Sequence, residues 1–108
     1  MYWPVKDPAD VLDYSIKFED FLGVGVEEIG DVVWTITLQG AAGTTGTALI
    51  DAVALGPGYA STFDVITATI WLANGRAGES YLVSCRAGGD VAPGRFYERS
   101  VSITIANR

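Results

Sequence analysis

Three observations predict an all-β fold: an immunoglobulin-like antiparallel β-sandwich of six or seven strands with a short N-terminal arm. Apolar and polar residues alternate in one run after another, the period of strands buried on one face. Clusters of turn residues separate these runs at short intervals. β-Branched residues fill the apolar stretches, and Gly or Pro interrupts nearly every window long enough for an amphipathic helix. A chain of 108 residues has room for one core and one domain.

The elements follow in order. Residues 1–12 form the arm, in which Tyr2, Trp3 and Pro4 come before any strand pattern. Asp7 followed by Pro8 supplies the cap and first position of a single helical turn. The sandwich spans 13–108 and opens with "DYSIKF", where Tyr14, Ile16 and Phe18 share one face and Asp13, Ser15 and Lys17 the other. "DVVWTITL" repeats the device, with Val32, Trp34, Ile36 and Leu38 inward and Thr35 and Thr37 outward. "TALIDAVAL" is a less regular strand, and "DVITATIWL" sets Ile66, Ala68, Ile70 and Leu72 against Thr67, Thr69 and Trp71. "SYLVSCR" buries Tyr81, Val83 and Cys85, and "ERSVSITI" buries Val101, Ile103 and Ile105. The connections "GVGVEEIG", "GAAGTTG", "GPGYAS", "NGRAGES" and "GGDVAPG" are turn-rich loops. The corner "RAGES" leading into Tyr81 matches the tyrosine corner at the start of the penultimate strand of such sandwiches, although Tyr81 stands four residues before Cys85 rather than two.

Composition excludes several function classes. A net charge of −6 with scattered Lys and Arg argues against nucleic acid, because binding by counterion release needs a basic patch. The one slight cluster, Arg95 and Arg99, is split by Glu98. No apolar run is long enough to span a bilayer, and the N-terminus lacks the pattern of a signal peptide, so synthesis and retention in the cytoplasm until assembly are expected. A single cysteine allows no internal disulfide, and Cys85 reads as a small buried hydrophobe.

Chemistry finds little to work with. The carboxylates of Asp7, Asp10, Asp13, Glu27 and Glu28 lie on loops and a strand face, and nothing in their spacing makes two of them converge across a cleft. Without histidine, a zinc site or a Ser-His-Asp triad has no basis, and no EF-hand spacing is present. "GTTG" lacks the lysine of a phosphate loop, and "GVGV" lacks the third glycine of a dinucleotide fingerprint. A non-enzymatic protein with no cofactor and no metal is the expectation. What remains is surface. Trp34 belongs to the core, Trp71 stands on the threonine side of its strand, and Trp3 lies outside the strand pattern. The arm is either a staple folded over its own sandwich or an anchor for another subunit, for which Trp and Tyr are suited. The candidate partner-binding residues are Tyr2, Trp3, Pro4 and Trp71.

"WPVKDPADVLDYSIKFEDFL", "VVWTI", "TIWLANGRAGESYLVSCRA", "RFYERSVSITI" and the terminal Arg108, in this order, resemble the fibre-tail adaptor proteins of tailed bacteriophages. The most characteristic pieces are "KDPADVLDYSI" and the pattern of Trp71, Leu72, Gly75, Ala77 and Gly78. "GVGVEEIGDVV" and "GPGYASTF" depart from the family pattern. The resemblance implies a structural virion module, made in the host bacterial cytoplasm and present in several copies per particle. It would dock on the tail or head-tail connector and link or steady fibres, binding other virion proteins and neither nucleic acid nor membrane. Two other readings share the sequence features: a capsid decoration protein, and a carbohydrate-binding module stacking sugars on Trp71, Tyr59 or Trp3.

Overall fold

The computed structural model describes residues 2–18, 28–40, 48–89 and 96–106. Seven strands occur among them: β1 (Leu12–Lys17), β2 (Ile29–Leu38), β3 (Ile50–Asp51), β4 (Thr62–Phe63), β5 (Thr67–Ala73), β6 (Ser80–Gly89) and β7 (Phe96–Thr104). They form two antiparallel sheets. In the first, β5 is central, flanked by β1 on one side and by the short β3 and β4 on the other; in the second the order is β2-β6-β7. An immunoglobulin-like sandwich pairs its second strand with the fifth, its third with the sixth and its sixth with the seventh, and β1–β5, β2–β6 and β6–β7 repeat that scheme with β1 in the second strand's place.

The alternation seen in the sequence is what packs the sheets together. Tyr14, Ile16 and Phe18 from the first strand region, Ala68, Ile70 and Leu72 from β5, Tyr81, Val83, Cys85 and Ala87 from β6, and Val101, Ile103 and Ile105 from the β7 end are all buried. Each fully buried aliphatic side chain contributes about 1.5–3 kcal/mol of transfer free energy, so a one-residue slip in any long strand would turn its whole apolar set to water. Trp34 is half-buried and packs against both halves of the core, opposite Cys85 in the β2–β6 register. At the far end of β2 the expected inward face runs out: Leu38 is exposed, because the strand extends to the rim of the sandwich.

Three local readings are corrected. "TALIDAVAL" gives only the two-residue β3, after which Ala52–Leu55 form a 3-10 helix. Asp51 caps it, its Oδ1 accepting from Val53 N–H at 2.9 Å, so the side chain competes with the strand ladder and wins. "GPGYAS" holds a second 3-10 turn at Pro57–Tyr59 and leads into β4, which is too short for periodicity to reveal. Asp64–Ile66 bend ahead of β5, with Asp64 N–H donating to Thr67 O at 2.7 Å. At Asp7 the chain makes one hydrogen-bonded turn, with Asp10 N–H on Asp7 O at 3.0 Å and Ala9 N–H on Asp7 Oδ1 at 2.8 Å. Most of the loops "GVGVEEIG", "GAAGTTG" and "GGDVAPG", together with Glu27, Arg95 and Arg108, lie outside the described residues.

Candidate partner interface

The arm is part of the sandwich. Trp3 N–H donates to Ser102 O at 2.9 Å, Lys6 N–H to Thr104 O at 3.0 Å, and Ala106 N–H to Lys6 O at 3.0 Å. Tyr2 and Lys6 thus bridge in parallel to the outer edge of β7, covering backbone groups that an edge strand otherwise leaves open. Lys6 is wholly buried, and its Nζ donates to the carbonyls of Asn74 at 2.6 Å and Asp7 at 2.9 Å. The Trp3 ring stacks on Tyr14 of β1, centroids 4.7 Å apart, and packs on the core between the sheets. Of the two roles the sequence left open for the arm, Trp3 takes the staple's geometry. Tyr2, at 83% exposure, and Pro4 face solvent beside it.

Between the arm and β1 runs a groove of about 410 Å³, lined by Trp3, Pro4, Val5, Leu12, Asp13, Tyr14 and Ser15. Val5 and Leu12 are exposed large hydrophobics on its walls. Neither was singled out by sequence reasoning, since Leu12 precedes the alternation of β1 and Val5 belongs to no periodic run. Trp71 stands on the other side of β1, on the outer face of the first sheet, half-buried and in edge contact with Tyr59 at 5.4 Å. Its cross-strand partner is Asp13, so a single strand separates the two sets of predicted residues.

The corner between β5 and β6 is built for shape. Asn74, Gly75 and Gly78 adopt positive φ of 64°, 98° and 93°, a region costly for residues with Cβ. Glu79, wholly buried, accepts from Arg76 N–H at 3.2 Å and pairs with the Arg76 guanidinium at 3.3 Å. Tyr81 Oη donates to Glu79 Oε1 and accepts from Leu49 N–H at 3.4 Å, the tyrosine-corner arrangement with a carboxylate as partner. Burial, then the bond to Glu79, raises the Tyr81 pKa above its ordinary value. Burial likewise pushes the Cys85 thiol up to about 12, the opposite of the depressed pKa of a reactive cysteine. Among the described residues no group of three or more His, Cys, Asp or Glu is placed to hold a metal ion, and no helix is long and apolar enough to cross a membrane.

A family model described as podophage GP4 fiber-tail adaptor protein gp77 matches residues 6–104. The chain belongs to that family. Its role is accordingly that of a structural fibre-tail adaptor of a bacteriophage. The matched span begins at Lys6, the buried clasp of the arm, and ends at Thr104, the last residue of β7, so it takes in all seven described strands. Within this adaptor, Gly75 and Gly78 of the "WLANGRAG" stretch answer to the fold, since both hold the positive-φ corner. No curated protein matches the chain.

Proposed function

We propose that the adaptor docks on a neighbouring tail protein through the arm and the strand beside it, with Tyr2, Trp3 and Pro4 on one side of β1 and Trp71 on the other. The observation that carries this reading is the grouping of exposed apolar side chains along the arm and β1: Pro4, Val5 and Leu12 stand exposed on the groove, and Tyr2 stands exposed at the start of the arm. Water-facing aromatic and aliphatic groups so arranged are the usual core of a contact surface. The arm is already hydrogen-bonded to β7, so little chain entropy is lost when a partner covers it. Trp71 extends the surface across the sheet, and several copies in the tail would each present it to the same neighbour.

The test separates contact from folding. Tyr2 is 83% exposed and Trp71 lies on an outer face. Tyr2→Ala is expected to keep a near-normal urea midpoint and Trp71→Ala, which loses a half-buried ring against Tyr59, to fold with a lowered one, and each to be incorporated into particles several-fold less than the wild type. Electron cryomicroscopy of purified particles is the second arm. Density at the tail with Tyr2 covered is the expected result, whereas density over the capsid shell, or undiminished incorporation of both variants, overturns the reading.

A further inference from the structure

The backbone of β1 has a direction that follows from two hydrogen bonds. Phe18 N–H donates to Ile66 O at 2.7 Å, toward the β5 side. Lys17 C=O accepts from Arg99 Nη1 of β7 at 3.0 Å, on the side away from β5. Because backbone groups alternate along a strand, the N–H and C=O of Asp13 and Ser15 point the way Lys17 C=O does, into the groove and away from β5. β1 ends its sheet, and among the described residues no backbone group meets these four. In a seven-stranded immunoglobulin sandwich a first strand occupies this place beside the second. Here the arm pairs with β7 in the other sheet instead.

We propose that the open edge of β1 at Asp13–Ser15 is a docking site for one extended segment of a neighbouring protein, which supplies the missing strand and carries an apolar side chain and a Lys or Arg. This deepens, and rests on, the docking surface proposed above. An edge with aligned donors and acceptors recognises extended backbone, and side chains on alternate faces add selectivity. The groove walls of Trp3, Pro4, Val5 and Leu12 suit the apolar side chain. Asp13 is exposed on the outer face beside Trp71 and suits the basic one. A second copy is disfavoured as occupant, because it would bring a net charge of −6 against −6. The Arg99 guanidinium on Lys17 O sets the end of the site.

Proline at position 13 tests the ladder directly. The N–H of Asp13 faces away from β5, so Asp13→Pro leaves the β1–β5 pairing intact while removing the donor a docked strand needs. With the full chain supplied in trans to a phage lacking it, Asp13→Pro is expected to cut incorporation about tenfold or more, and Asp13→Asn less. Hydrogen exchange of wild-type chain, read on peptides covering Leu12–Lys17, is expected to slow about a hundredfold at the Asp13 and Ser15 amides between free protein and purified particles. Normal incorporation of a folded Asp13→Pro chain, or equal exchange free and assembled, overturns the proposal; if Asp13→Pro fails to fold, the exchange measurement alone decides. A purified wild-type dimer that Asp13→Pro dissolves would put a second copy on the edge and overturn the assigned occupant. Loss of incorporation in Tyr2→Ala or Trp71→Ala with unchanged exchange sinks the added strand while leaving the docking surface standing, and a chain absent from particles sinks both.

Discussion

Gly75 concentrates two constraints in one residue. Its φ of 98° penalises any Cβ, and a Cβ built there would lie 2.8 Å from Ile105 Cγ1 and 2.9 Å from Cδ1. Ile105 is wholly buried and cannot swing out, so Gly75→Ala is expected to cost about 2–4 kcal/mol, read as a lower urea midpoint at unchanged slope. Gly78, with φ of 93° and nothing near its Cβ position, should give up only the backbone part of that loss. Cys85 makes a prediction about pH. Burial pushes its thiol up to about 12 in the folded chain from an ordinary 9.0, so through the interval between them the unfolded chain has released a proton that the folded chain keeps. Stability is therefore fully present below about 9 and is lost as pH rises toward 12, at up to about 1.4 kcal/mol per unit. Cys85→Ala should flatten this alkaline slope. Tyr81, raised mainly by burial, titrates in the same sense, so part of the slope persists. A slope unchanged by Cys85→Ala would contradict the assignment.

Among the elements, the strands that were legible in the sequence are those that bury one face and wet the other. β1, β5, β6 and β7 show their inward residues at every second position, because a sheet with one covered side forces that spacing. β3 and β4 were not legible: two residues cannot carry a period, and Asp51 turns an apolar run into a capped 3-10 turn. The arm was half legible. Its aromatic content marked it as a contact element, but a lysine gives no sequence signal of being wholly buried, and Lys6 is what fastens the arm to the corner after β5. Nor could alternation reveal which way the backbone of β1 faces, since that depends on Arg99 and Ile66, remote in sequence. Lys6→Met keeps the stem and removes the donors, leaving the Asn74 carbonyl without its 2.6 Å bond. The expected cost is about 1–3 kcal/mol, with faster hydrogen exchange at Ala106, whose amide is held by Lys6 O. Unchanged exchange at Ala106 would mean that the backbone bonds alone hold the arm.

At the scale of the whole molecule the arm closes one side of the sandwich, and this gives it a part in stability separate from any part in docking. It covers the C-terminal end of the outer edge of β7, from Ser102 to Ile105, in one sheet and, through Trp3 on Tyr14, spans to β1 in the other. Two sheets of three and four strands have little area to spare, and an uncovered edge on such a body is a template for pairing with other copies. A net charge of −6 opposes that pairing, but at short range an exposed ladder and a bared core can outweigh it as salt screens the repulsion. A chain starting at Lys6, with residues 1–5 removed, keeps the Lys6 clasp and loses both the Trp3 stack and the Trp3–Ser102 bond. Trp3 is half-buried, so its removal should cost about 2–4 kcal/mol, somewhat less than a full core aromatic. The truncated chain is expected to show a lower urea midpoint and light scattering that grows with time and with added salt, while Tyr2→Ala shows neither. A truncated chain that stays monomeric at the wild-type midpoint would show that residues 1–5 contribute nothing to the sandwich and act on partners alone.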